Sequence, residues 1–207
     1  MTSHAATSHA ATRVVLATRN AGKVNELRRI LGTAVRLVGI DDATAYEPGP
    51  ETGATFAENA LAKAFEAVAH TGLPAVADDS GLAVDAMNGM PGVLSARWAG
   101  RHGDDRANLE LLLAQLADVP DDRRGAGFMC AAAYALPDGR HEVVVAEMRG
   151  RLVREPRGSG GFGYDPLLVP AGLTVTSAEL SSTEKDAISH RGQAFRLLAP
   201  RLLQALG

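Results

Sequence analysis

Cysteine is nearly missing from this 207-residue chain: Cys130 stands alone, so no intramolecular disulfide can staple the fold. It lies in the apolar run Phe128-Met129-Cys130-Ala131-Ala132-Ala133, and a reducing cytoplasm is the expected location. Aromatic residues are scarce at 4%, and the apolar residues are not continuous as in a membrane protein, so a soluble protein without membrane partners is expected. A basic excess is also absent. The formal net charge of −3 argues against a large non-specific nucleic-acid footprint, so any phosphate chemistry must be local. Residues 1–12, with the near-repeat Ser3-His4-Ala5-Ala6-Thr7 and Ser8-His9-Ala10-Ala11-Thr12, have neither a cationic start nor an apolar h-region. They read as a disordered leader. What the chain does have is length and a 46% apolar content, enough for one large domain or two small, interleaved lobes over residues 13–207 with a sizeable core.

The apolar periodicities alternate between strand and helix. Arg13-Val14-Val15-Leu16-Ala17 suits a buried strand, Val24, Leu27, Ile30 and Leu31 a helix ending at Gly32, and Val35 to Ile40 a second strand. This opening is a strand-helix-strand unit of α/β type. Glu47-Pro48-Gly49-Pro50-Glu51-Thr52-Gly53 must be a loop. Thr55 and Glu58 have capping-box spacing, and Phe56, Leu61, Phe65 and Val68 predict the apolar face of a helix over 56–70. Pro74 to Ala77 reads as a strand delivering Asp78-Asp79-Ser80-Gly81 at its C-terminal end, where open α/β sheets place ligands. Asp104-Asp105 can cap a helix carrying Leu109, Leu112, Leu113 and Leu116, closed by Pro120. Residues 126–136 and 141–148 read as a β-hairpin about Pro137-Asp138-Gly139-Arg140, belonging to a second lobe. Ser181 and Glu184 repeat the capping-box spacing. Ile188, Phe195, Leu198, Leu202 and Leu206 give a helical stripe that Pro200 is expected to divide in two.

Four segments can carry chemistry. Thr18-Arg19-Asn20-Ala21-Gly22-Lys23 joins a strand to a helix; it lacks Walker spacing, yet a helix N-terminus beside Lys23 suits a phosphate as well as it suits a simple cap. Asp78-Asp79-Ser80 is either a solvated turn or, with Glu51, a set of hard oxygen ligands of the kind Mg²⁺ takes together with substrate phosphates. The run Gly158-Ser159-Gly160-Gly161-Phe162-Gly163-Tyr164-Asp165-Pro166 is too glycine-rich for a core element and offers Phe162 and Tyr164 as faces for stacking a base. Lys185 and Ser189-His190-Arg191 are polar residues that otherwise read as a solvated helix face.

These segments occur in one order in a known family. The motifs Leu16-Ala17-Thr18-x-Asn20-x-x-Lys23, Glu51-Thr52-Gly53-x-Thr55-Phe56-x-x-Asn59-Ala60, Ala77-Asp78-Asp79-Ser80-Gly81-Leu82, Pro91-Gly92-Val93-x-Ser95-Ala96-Arg97, Gly161 to Pro166 and Ser189-His190-Arg191-Gly192 resemble those of the inosine/xanthosine triphosphate pyrophosphatases. The resemblance covers about residues 13–206. It implies a two-lobed α/β fold with a long central mixed β-sheet flanked by helices, a substrate cleft between the lobes, a homodimer, and dependence on Mg²⁺ with Mn²⁺ as a substitute. It further implies that Asp79 binds metal and acts as general base, that Glu51 is a second metal ligand, and that Asp78 and Lys63 share the neighbourhood. Thr18, Asn20 and Lys23, with the backbone of Ala21 and Gly22, match a triphosphate loop; Ser80 matches a substrate contact; and Phe162, Gly163, Tyr164, Asp165, Lys185, His190 and Arg191 match a nucleotide pocket. Arg19 stands where many members have glycine and is kept as a backbone or charge contact on electrostatic grounds. The expected reaction is hydrolysis of non-standard purine nucleoside triphosphates, ITP, dITP and XTP, to monophosphate and pyrophosphate. A non-catalytic purine nucleotide sensor is the alternative, although it has no need of clustered Glu51, Asp78 and Asp79.

Overall fold

The structure, a computed structural model, describes residues 12–18, 35–44 and 46–207. The phosphate loop from Arg19 to Lys23, the helix expected after it and most of the expected leader lie outside these residues. Strands β1 (Arg13–Leu16) and β2 (Arg36–Gly39) pair in parallel, and Thr12 already accepts a bond from the Arg36 N–H at 3.1 Å. A short helix, α1 (Ile40–Ala43), begins where the second strand was expected to end. Strand β3 (Ala75–Val84) runs parallel to β1, and β4 (Gly125–Ala135), β5 (His141–Leu152) and β6 (Leu168–Pro170) follow antiparallel. One mixed sheet results, in the order β2-β1-β3-β4-β5-β6. The predicted hairpin is present as β4 and β5, the fourth and fifth strands of this sheet.

The helices cover the sheet from both faces. Helix α2 (Phe56–Thr71) opens on Thr55, whose hydroxyl accepts from the Glu58 N–H at 3.1 Å, and ends at left-handed Gly72. Its buried face meets the prediction in part: Phe56, Leu61 and Val68 pack half-buried against the sheet, but alanines form its centre and Phe65 does not join them. Asn59, Ala60, Ala64 and Ala67 are buried, whereas Phe65 is 38% exposed. Ala60, Ala64 and Ala67 pack on Ala75, Ala77, Ala131, Ala133 and Ala135, so small side chains on both surfaces let the helix lie close to the sheet.

Helix α3 (Asp105–Gln115) is capped by Asp104, and α4 (Ser182–Ile188) has the complete capping box of Ser181 and Glu184. The break expected at Pro200 lies instead at Ser189, whose hydroxyl caps α5 (His190–Leu206) by accepting from the Gly192 N–H at 2.9 Å. Pro200 sits within α5, and burial of Phe195, Leu198 and Leu202 against the sheet offsets the lost helix hydrogen bond.

The long strands pass through two packed regions. The first half of β3 and of β5, with the second half of antiparallel β4, is sandwiched between α2 and α5. At the other end of these strands Leu82, Val84, Ala126, Phe128, Met148 and Leu152 join Leu109, Leu112 and Leu116 of the α3 segment in a third cluster. Phe195 is fully buried between α5 and the sheet, so Phe195→Ala should lower unfolding stability by roughly 3–5 kcal/mol. Urea denaturation measures this, and a loss under about 1 kcal/mol would contradict the placement of α5.

Candidate active site

The step in the sheet makes the cleft. Strand β1 stops at Leu16, and after Ala17 N–H bonds the Val76 carbonyl at 2.8 Å, β3 continues for eight residues past Val76. Thr18 therefore stands beside Asp78, Asp79 and Ser80 at the edge of a cleft of about 720 Å³, within the range of small-molecule sites. The two acids do not close a strand, as the sequence suggested. They occupy its middle, opposite Ala132 and Ala131 of β4, because these small partners let the ladder run through them.

Strand alternation sends the neighbouring carboxylates to opposite faces. Asp79 points to α2, where its two oxygens accept from Asn59 Nδ2 and Lys63 Nζ, both at 3.0 Å. Lys63 also binds Glu51 at 2.9 Å, and Arg97 reaches Glu51 through its carboxylate at 3.4 Å and its carbonyl at 3.2 Å. Asp78 points to α5. It pairs with Arg191 at 3.1 Å and accepts from Ser80 Oγ at 2.9 Å, with both side chains of the ion pair at most 2% exposed. Removing either partner of such a pair strands a buried charge.

These surroundings set the charges. Burial pushes the Asp79 carboxyl above its ordinary range; Lys63 and Asn59 pull it back only in part, and the Glu51 charge opposes them. Burial alone pulls the Lys63 ammonium down, but Asp79, Asp78 and Glu51 together outweigh it and hold its pKa above that of a free lysine. The centre thus holds a charged lysine and a carboxylate with enhanced basicity.

The other end of the cleft is aromatic. Phe162 is 44% exposed, with Lys185 Nζ 4.9 Å and Arg191 Cζ 5.7 Å from its ring centre. Asp165 fixes this loop by accepting from the Phe162 N–H at 2.8 Å and from Lys185 at 2.5 Å. Only glycine fits at 161, where φ is +74° and a Cβ would lie 2.1 Å from Asp165 Oδ2. His190 stacks on Phe128 with ring centres 5.1 Å apart. Gly163 donates its N–H to Asp105 at 2.8 Å, which ties the loop to α3.

Tyr164 is 4% exposed in the α3 cluster, and its hydroxyl donates to the Ser95 carbonyl at 2.9 Å. Most of its ring is committed to the core, and the remainder borders the cleft beside Gly163 and Asp165. Thr18, Glu51, Lys63, Ser80, Phe162, Gly163, Asp165, Lys185, His190 and Arg191 all border the same cleft, with Asp78 and Asp79 between them. Arg19, Asn20, Ala21, Gly22 and Lys23 lie outside the described residues.

The sequence profile of the Ham1 family matches residues 14–201. The chain belongs to the Ham1 family. A Ham1 relative, the dITP/XTP pyrophosphatase of Streptomyces coelicolor, is 61% identical over 199 residues, covering 95% of this chain and 100% of the relative. The crystal structure of a nucleoside-triphosphatase / dITP/XTP pyrophosphatase from Mycobacterium abscessus is 57% identical with a TM-score of 0.77, covering 91% of this chain and 99% of that one. The Staphylococcus aureus Ham1 protein is 38% identical with a TM-score of 0.84, covering 92% and 97% of the two chains.

Two residues that contact the carboxylate centre of this chain received no role from the sequence alone. Asn59 lies four residues before Lys63, on the same helical stripe, and that spacing was a usable signal. Arg97 carried no local signal, since its partner is 46 residues away. The charge balance has a direct check in the metal-free protein. Lys63→Met removes the cation that lowers the Asp79 pKa, so carboxyl ¹³C NMR should show Asp79 titrating at higher pH than in the wild type. An unchanged or lower titration point would contradict the pairing.

Proposed function

We propose that this chain hydrolyses the non-standard purine nucleoside triphosphates dITP, ITP and XTP to nucleoside monophosphate and pyrophosphate, and so cleanses the nucleotide pool. The observation that carries the reading is one cleft with a carboxylate centre at one end and a cation-flanked aromatic ring at the other. The names of the relatives supply the substrate class.

A magnesium ion fits the donor set. Glu51 and Asp79 are hard oxygen donors brought together on Lys63, and each Asp79 oxygen accepts one hydrogen bond among the described residues, leaving lone pairs for a cation. Magnesium takes one or two carboxylates and completes its shell with water and phosphate. Glu51 and Asp79 would hold it, and when bound it neutralises phosphate charge; Mn²⁺ has the same preference for oxygen.

Water attacks the α-phosphorus, a new P–O bond forms, and the bond to the bridging oxygen breaks with its electron pair leaving on pyrophosphate. Asp79, whose burial strengthens it as a base, receives the proton of the water. Lys63 keeps the two carboxylates together without neutralising Asp79 by proton transfer, since its own proton is held more firmly than in a free lysine. At the other end Phe162 stacks on the base, while Lys185, Arg191 and His190 offer donors to an oxygen at purine C6.

No helix among the described residues is long and apolar enough to cross a membrane. The buried Cys130 thiol supports a reducing cytoplasm, and a homodimer belongs to the same proposal, with Phe65 and Val145 as exposed apolar side chains on the α2 side of the sheet.

Base choice tests the reading. Adenine presents an amino group to the donors that meet the C6 oxygen of hypoxanthine or xanthine, and a site built to bond one group can reject its replacement by as much as roughly 10⁴-fold. Pyrophosphate release should therefore give kcat/KM for dITP and XTP at least about 10²-fold above that for dATP. Equal values would sink the base-selective reading.

A further inference from the structure

Asn59 is 2% exposed and serves two polar partners at once. Its Nδ2 donates to Asp79 Oδ2 at 3.0 Å, and its Oδ1 accepts from the Gly53 N–H at 2.8 Å. The first partner belongs to β3 and the second to the loop carrying Glu51 two residues earlier. We propose that Asn59 is a positioning residue that sets the spacing of Asp79 and Glu51, the two carboxylates that hold the divalent cation. The inference rests on the reading of those carboxylates given above.

The geometry favours this reading over a simple buried amide. An amide has a donor end and an acceptor end, and here each end has its complement, so Asp79 and the Gly53 N–H together fix its orientation. A carboxylate at position 59 would lose the donor and face Asp79 with like charge. An aliphatic residue would lose both bonds.

Gly53 is fitted to the same contact. A Cβ there would lie 2.6 Å from Asn59 Oδ1 and 2.9 Å from the Glu58 Cβ, so the loop approaches this closely only with glycine. The neighbouring backbone is fastened to the same helix, since Ala54 N–H donates to Glu58 at 2.7 Å and Gly49 N–H to Glu66 at 2.8 Å. Asn59, Lys63 and Glu66 are spaced as one helical stripe, and the alanines beside them hold that stripe near the sheet. Lys63 binds both carboxylates through a rotatable ammonium that carries donors only and so cannot hold the loop backbone N–H. Asn59 supplies the directional link.

The link can be cut from either end. Asn59→Ala removes the amide, and Gly53→Ala displaces the loop while leaving Asn59 and Asp79 intact. The probe is Mn²⁺ without nucleotide, its free concentration read by electron paramagnetic resonance, with Asp79→Asn alongside. Partners that orient metal ligands affect affinity by about 10–100-fold, so each single variant should bind Mn²⁺ at least about tenfold more weakly than the wild type. The double variant should be no weaker than the worse single, because both substitutions break one link. Circular dichroism confirms that each variant is folded, and Gly53→Ala leaves the core untouched if Asn59→Ala is not.

Additive losses, or weakening by Asn59→Ala alone, would overturn the proposed link. Unchanged Mn²⁺ affinity in both variants with a weakened Asp79→Asn would overturn the positioning role and leave the cation site standing. Unchanged affinity in Asp79→Asn as well would overturn the cation site, and this inference with it.

Discussion

The Lys63 ammonium, placed between the Glu51 and Asp79 carboxylates, is the contact on which the arrangement of the cleft depends. Without it, two partly buried acids from separate elements would face one another, and their repulsion together with the loss of hydration would drive them apart or protonate one. Lys63 can reach both only because α2 lies close to the sheet, and that closeness comes from alanine packed on alanine. The chemistry of the site therefore begins with the smallest side chains of the core.

Period-two geometry of β3 divides the labour of its adjacent acids. Asp79 works with α2 at the carboxylate centre, whereas Asp78 is buried against Arg191 on the side of α5. Arg191 also flanks Phe162, so the strand that carries the carboxylate centre anchors a cation of the aromatic pocket. The two ends of the cleft are joined through one strand, and a change at Asp78 would be felt at both. Because β1 stops short of β3, the same stretch of strand remains open to the cleft.

Local signals were legible where the physics is local. Capping at Thr55, Asp104 and Ser181, the hairpin about Asp138-Gly139 and the leucine stripe of α3 all depend on residues a few positions apart. The readings that failed depend on tertiary contacts. Phe65 gave way to alanines because the helix needed closeness rather than apolar bulk. Pro200 was absorbed because burial along α5 outweighs one missing bond. For the site, the motif resemblance brought Glu51, Asp79, Phe162, Lys185 and Arg191 to one cleft, yet the tie from Asn59 to Gly53 and the reach of Arg97 to Glu51 were visible only in three dimensions.

The central claim is that the carboxylate centre directs water to the α-phosphorus of a bound nucleotide, and the products report this directly. Purified protein incubated with dITP and Mg²⁺ and followed by ³¹P NMR should accumulate the monophosphate and pyrophosphate in equal amounts, with no diphosphate intermediate. Accumulation of the nucleoside diphosphate and orthophosphate would place the attack at the γ-phosphorus and contradict the account.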